Sequence, residues 1–203
     1  MTISTNPLAR AALAPRTVLW FRNDLRVHDN PLLVAAQQGD KEVLPVYCFD
    51  PRQFGSASWG CAKTGALRAR FMLESVADLK QSLRQLGSDL VVGVGKPEEL
   101  LPRLVPGPGG SIVTSEQVTS EELAVDRALR AALQLQSSTT KLQTVWSGTL
   151  YERADLPFRD DLSDMPDVFT PYRNKVESKS QVRRPLAPPK QGSLRLPDAA
   201  VLS

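Results

Sequence analysis

Thr17-Val18-Leu19-Trp20-Phe21-Arg22-Asn23-Asp24-Leu25-Arg26-Val27-His28-Asp29-Asn30-Pro31-Leu32 decides the fold. Val18 to Phe21 are β-branched, aromatic or leucine, the composition of a buried strand. The apolar run stops at a polar turn crowded with charge. Asn30 then offers a side-chain acceptor to the free N–H groups of a first helical turn. Pro31 suits the position after it, where no N–H is needed and φ is already right. A strand, a loop and a helix follow one another. In open α/β sheets ligands sit beyond the carboxyl ends of strands, so this loop is where a site is expected.

Working outward, the alternation repeats. Glu42 to Phe49 reads as a second buried strand, although Pro45 within it argues for an edge or a strand start. Thr64 to Leu86 is a helix. Leu67, Phe71, Val76, Leu79, Leu83 and Leu86 recur at helical spacing as its core stripe, and Gly87 closes it. Leu90 to Val94, Ser111 to Thr114 and Leu142 to Trp146 are further strands. A short helix begins at Pro97, and another follows Thr119, whose hydroxyl and the Glu122 carboxylate form a capping box. Asp126 and Arg130 are spaced as an i,i+4 pair on that helix. The expectation is an α/β fold: a Rossmann-like, doubly wound, five-stranded and mostly parallel sheet covered on both faces. After Trp146 the pattern loosens into an irregular C-terminal linker, and the Pro-rich stretch 180–203 reads as a disordered tail.

Several motifs resemble the photolyase/cryptochrome family. Trp20-Phe21-Arg22-Asn23-Asp24-Leu25-Arg26, with Asp29-Asn30 and Leu33 after it, is similar to the family's opening signature. Leu44 to Arg52, Lys63 to Arg68, Gly95 to Glu99, Leu156-Pro157-Phe158 and Leu162 to Phe169 resemble its DASH branch, in order along the chain. The resemblance implies an α/β antenna domain over residues 17–150, the start of an interdomain linker at 151–179, and blue-light harvesting for flavin-dependent DNA photorepair or photoreception. It implies FAD and DNA contact only for the family's helical second half, which these residues do not include. The isolated chain is therefore expected to lack repair activity, and no catalytic residue is assigned. A folate antenna, methenyltetrahydrofolate, is implied at the end of the fourth strand. There the family's glutamate falls at Gln117 beside Glu116, and Gln117 weakens the match because its NH₂ group would face a pterin donor. Cys48, Phe49 and Asp50, at the second strand's end, are candidates to flank the same ligand, or to serve core packing and turn capping.

Other readings stand beside this one. The chain is a non-catalytic interaction protein docking on a separate flavin-domain chain, or a generic nucleotide-binding module, or a gene model cut short with unrelated residues after Gln181. The 203 residues suit one domain, 41% of them are hydrophobic, and the net charge of +3 permits acidic ligands without demanding them. Cys48 and Cys61 have no metal-like spacing and no disulfide framework, which points to a reducing compartment, cytoplasmic or organellar. Residues 1–16 read as a disordered N-terminus or a weak transit-like segment. No apolar run is long enough to span a membrane.

Arg22, Asn23, Asp24 and Arg26 stand where a ligand is expected. For Asp24 and Arg26 the expectation is structural: Asp24 pairs with an arginine and holds the turn. His28, the only histidine, has no nameable partner and is read as a surface residue. Gly93-Val94-Gly95-Lys96-Pro97 fails the phosphate-loop pattern, because Pro97 stands where a hydroxyl must reach a metal. It is read as a strand-to-helix turn.

Overall fold

A computed structural model describes residues 16–37, 42–57, 60–105, 109–136 and 139–196. The reading of the N-terminal segment falls outside these residues, except for Arg16, which is buried as the first residue of a strand.

Five parallel strands form one sheet: β1 (Arg16–Phe21), β2 (Glu42–Phe49), β3 (Val91–Val94), β4 (Ser111–Ser115) and β5 (Lys141–Val145). Their order is β3-β2-β1-β4-β5, so the winding reverses at β1. Among the described residues five α-helices connect or follow them: α1 (Pro31–Ala36), α2 (Ala66–Gln85), α3 (Pro97–Leu100), α4 (Ser120–Gln136) and α5 (Phe169–Lys179). β1 is buried along its whole length, and its alternate side chains serve two cores. Leu19 and Phe21 pack with Leu32 and Leu33 of α1 and with Val76, Leu79 and Leu83 of α2. Val18 and Trp20 pack on the other face with Leu101, Leu129 and Leu133. Parallel strands covered on both faces need such continuous apolar runs.

Pro45 lies in a central strand, not at an edge. β3 pairs with β2 only from Val46 onward. Val43 N–H points away from β1, donating to the Arg195 carbonyl at 2.7 Å. Pro45 faces the same way two residues on, on a flank where no strand asks for its missing N–H. The Leu67–Leu86 stripe also divides. Val76, Leu79 and Leu83 are buried, whereas Leu67 and Phe71 point outward at 87% and 69% exposure. Leu67 precedes Val76 by about two and a half turns, which places it on the opposite face.

The stretch read as a disordered tail has no helix or strand through residue 196, yet it packs. From the end of α5 it runs back over the domain as a strap. Leu186 N–H donates to Asp29 Oδ1 at 3.1 Å, and Leu186 O accepts from Asp29 N–H at 2.9 Å. Gly192 N–H donates to Leu86 O at 2.8 Å. Leu194 is 1% exposed and joins the core of α1 and α2. A single leucine among prolines has no period to announce it, so composition alone hid the anchor.

Leu194→Ala is expected to lower unfolding stability by about 2–5 kcal/mol, the usual range for emptying a buried leucine site. Val182→Ala, on an exposed stretch of the same strap, should stay within about 0.5 kcal/mol. Urea titrations of the two variants separate the cases, and equal midpoints would show that the strap does not pack.

Candidate functional site

The loop after β1 is built from its own backbone. Asn30 Oδ1 accepts from Leu32 N–H at 3.0 Å, capping α1, while its Nδ2 donates to the carbonyls of Arg26 at 2.9 Å and Asp24 at 3.2 Å. Asp24 does not pair with an arginine side chain. Its Oδ1 accepts from Arg22 N–H at 3.1 Å, and its buried Oδ2 has no partner. Burial pushes its carboxyl above the ordinary range, against the opposing pull of those backbone bonds and of Arg26 and Arg22. Arg26 instead donates to Asp29 O. Arg22 leaves the loop to meet Asp126 of α4, Nη1 to Oδ1 at 2.8 Å, with its guanidinium carbon 4.5 Å from the Trp20 ring centroid. Asp126 therefore does not pair with Arg130, which donates to Leu142 O. His28 is exposed.

A cleft of about 700 Å³ opens at the carboxyl ends of β1 and β2, between the first turns of α2 and α4. Trp20, Phe21, Tyr47 and Cys48 line it from the strands, and Asn23, Gln53, Arg68 and Glu122 add polar groups. Burial, aided by nearby Asp50, pushes the Cys48 thiol up to about 12, so it lines the cleft as a neutral group. Asp50 caps the turn Pro51–Gln53 through Arg52 N–H at 2.9 Å. Its carboxylate also takes the Arg52 guanidinium, which in turn bridges to Glu98. Across the mouth, Lys63 Nζ donates to both carboxylate oxygens of Glu121 at 2.8 Å.

Of the sequence-derived candidates, Cys48 and Asp50 line this cleft. Phe49 turns to the other face of the sheet, with its ring 4.8 Å from Tyr47 and 6.2 Å from Phe54. Glu116 and Gln117 do not line the cleft and so do not join Cys48 and Asp50 around one ligand there. Glu116 lies 3.5 Å from Arg153, and Gln117 Nε2 donates to Ser115 Oγ at 3.0 Å. Next to them is a second pocket of about 440 Å³, lined by Val118, Trp146, Leu150, Tyr151 and Tyr172. The contributions of α2 and α4 to the main cleft were missed. The usable signal was that both helices begin above strand ends, where sites in this architecture gather. Among the described residues no cluster has metal-binding character. The strand-to-helix reading of Gly93–Pro97 holds: Gly95 N–H donates to Phe49 O, and α3 starts at Pro97.

Residues 17–191 match the family model described as DNA photolyase. The match carries the strap to Gln191, well past the point where unrelated residues were considered. The chain is 48% identical to the DASH cryptochrome of Gloeobacter violaceus over 179 residues, 87% of this chain and 35% of that protein. It is 44% identical to the Arabidopsis thaliana "Cryptochrome DASH, chloroplastic/mitochondrial", over 82% of this chain and 29% of that one. The chain thus spans about a third of the length of these relatives. Its fold superposes on the crystal structure of a Synechocystis cryptochrome with a TM-score of 0.83 at 36% identity, covering 92% of this chain and 38% of that one. An archaeal photolyase from Sulfolobus tokodaii, whose crystal structure holds two FAD molecules, gives 0.70 at 26% identity, covering 87% and 37%.

Two substitutions test the loop. Arg22→Met strands the buried Asp126 carboxylate and should cost about 3–5 kcal/mol, much of it recovered in Arg22→Met/Asp126→Leu. Urea unfolding of the single and double variants measures this, and equal losses in both would remove the pair from the account. Asp24 titrates higher in the folded chain than in the unfolded one. Its contribution is full below the unfolded value and is lost as pH rises through the folded value. Asp24→Asn should therefore gain stability relative to the parent as pH is raised from 3.8, the ordinary aspartate value, toward neutrality. A difference that stays flat across that window contradicts the burial argument.

Proposed function

Because the chain belongs to the DNA photolyase family, in its DASH cryptochrome branch, we propose that it is a light-harvesting domain. It holds a second chromophore and presents it to a flavin bound outside these residues. The cleft beyond β1 and β2 carries this reading. Its volume falls within the roughly 300–1,000 Å³ of small-molecule sites. Trp20 and Tyr47, each 4% exposed, offer aromatic edges to a ring system at the cleft floor. Asn23, Gln53 and Arg68 offer polar contacts at its edge, and the neutral Cys48 adds no charge beneath it. The bound chromophore would absorb a photon and pass on the excitation energy. The protein's own work is to bind the ring, fix its orientation and keep water off its face. The Lys63–Glu121 pair across the mouth serves that last purpose. The two-FAD photolyase from Sulfolobus tokodaii, a structural relative, makes a flavin-sized occupant a reasonable first probe.

A folate site at Glu116 and Gln117 is the second reading, and one contact favours it. The Gln117 amide already spends its N–H on Ser115, which leaves its oxygen to accept from a pterin. Arg153 and the aromatic second pocket stand beside it. On either reading the isolated chain performs no DNA repair, since the photochemistry belongs to a flavin that other residues hold. Contact with DNA likewise belongs to the longer protein. A cytoplasmic or organellar compartment, reducing in either case, goes with the two free cysteines and the plant relative. No described helix is long and apolar enough to cross a membrane.

Absorption spectra of the purified chain, taken after adding FAD or methenyltetrahydrofolate and removing free ligand, test both readings. A retained flavin band lost in Tyr47→Ala supports the cleft. A retained folate band lost in Gln117→Leu supports the second site. Retention of neither sinks the antenna reading for this chain.

A further inference from the structure

The strap carries a short motif that neither the core nor the two pockets use. Pro185-Leu186-Ala187-Pro188-Pro189-Lys190 reads Pro-x-x-Pro-x-Lys. Each proline fixes its own φ at about −65° and pushes the residue before it into the extended region, which drives the stretch toward a polyproline II helix. Such a helix repeats at about three residues per turn and so presents three ridges. Pro189 is the buried residue of the motif, which turns the ridge of Leu186 and Pro189 toward the domain. Pro185 and Pro188 share a second ridge, and Arg184, Ala187 and Lys190 share the third; all five are exposed. These outward ridges carry unspent polar groups. Among the described residues the carbonyls of Arg184, Pro185, Ala187 and Pro188 accept no hydrogen bond, and the Arg184 and Lys190 side chains form no ion pair. The stretch is also held in place. Arg183 Nε donates to Asp155 Oδ2 at 2.6 Å just before it, Leu186 is bonded to Asp29 within it, and Gly192 is bonded to Leu86 just after it.

We propose that this part of the strap is a docking ligand for a partner domain that takes proline-rich helices in a groove of aromatic side chains. Such a groove grips successive x-Pro pairs along the two ridges that face it and leaves the third ridge pointing away. Here the pairs are Arg184-Pro185 and Ala187-Pro188, and the third ridge is the one already turned toward the domain. Lys190 reaches past the second pair, so the partner's groove ends in carboxylates. The free carbonyls are acceptors for the tryptophan, tyrosine or amide donors of the groove. Because the stretch is extended by its prolines and pinned at both ends, it gives up little further chain freedom on binding. A phosphate track is the weaker match to the same surface: the neighbouring Arg173, Lys175 and Arg183 are each paired with a carboxylate, and proline spacing adds nothing to phosphate contact. This inference does not rest on the antenna reading and holds whatever the cleft binds.

The test titrates the intact chain into an isotope-labelled SH3 domain whose aromatic groove ends in acidic residues and accepts Pro-x-x-Pro-x-Lys peptides. Resonances of the groove aromatics should shift, and a synthetic peptide of residues 181–192 should bind no more tightly than the intact chain. Pro188→Ala and Lys190→Glu should each weaken binding by about tenfold or more. Val182→Ala, exposed upstream of the motif, should leave binding unchanged. Pro188 and Lys190 are exposed, so both variants should melt with the parent. An intact chain that produces no groove shifts overturns the proposal. So does binding by the peptide alone, because the strap then hides the motif. Full binding by Pro188→Ala overturns it too, since the contact is then charge attraction of the kind any acidic surface or polyanion supplies. Full binding by Lys190→Glu does the same, because the groove then does not read the cation. A Pro188→Ala variant that melts early shows the motif to be a structural part of the strap and equally overturns the docking role.

Discussion

A guanidinium and a carboxylate, each more than nine-tenths removed from water, meet at 2.8 Å between the end of β1 and the inner face of α4. Arg22 and Asp126 lie 104 residues apart in sequence. Taking both charges out of water is costly, and their attraction offsets that cost only when the geometry is good. The pair is therefore better understood as a positioning device than as a source of stability. It ties α4 to the carboxyl end of β1, and the Trp20 ring under the guanidinium holds the arginine in place. With α4 set there and α2 set by its contacts with the core under β1 and β2, the first turns of both helices stand either side of the cleft. The cleft's width follows from that placement.

The opposite demand is met by the strap. Parallel sheets must be covered on both faces and at their open flanks, or they leave backbone groups unpaired. β3 is short and covers only the upper half of β2. The strap returns to the lower half, where Arg195 accepts from Val43, and Leu194 fills the adjoining core. On its way it exchanges two hydrogen bonds with Asp29, whose φ of 52° turns the β1–α1 loop back on itself. The residues that bound the candidate site at one end of β1 are thus braced by a segment about 160 positions later in the chain, which completes the domain rather than trailing from it.

The parts of this architecture that were legible in sequence are those governed by local chemistry. Val18 to Phe21 had to be a buried strand, Asn30 had to cap, Gly87 had to end α2, and strand–helix alternation had to give a parallel sheet. What was not legible depends on choices between partners. Asp24 had two arginines within four residues, and both are engaged elsewhere. Asp126 had an arginine one turn away and paired instead with one from another element. Leu67 and Phe71 are one turn apart, as the core residues are, but the five-residue step from Phe71 to Val76 breaks the phase and puts them on the far face. Leu194 carries no pattern at all.

The same distinction explains why the five sequence-derived site residues did not assemble. Cys48, Phe49 and Asp50 are neighbours in sequence, but a strand sends successive side chains to opposite faces. Cys48 enters the cleft, while Phe49, on the face of the cleft-lining Tyr47, sets its ring against Tyr47 and Phe54, and Asp50, beyond the strand, is consumed in holding Arg52. Glu116 and Gln117 lie past the end of β4, on the far side of the reversal from β2; Glu116 turns toward β5 and Arg153, and Gln117 folds back on Ser115. One sheet edge therefore carries two separate openings. The larger lies over β1 and β2 and the smaller over β4 and β5, with the buried Arg22–Asp126 pair bridging from the end of β1 to α4. A ligand in one does not need the residues of the other, so the two antenna readings are physically independent and compete only through what the chain is given to bind.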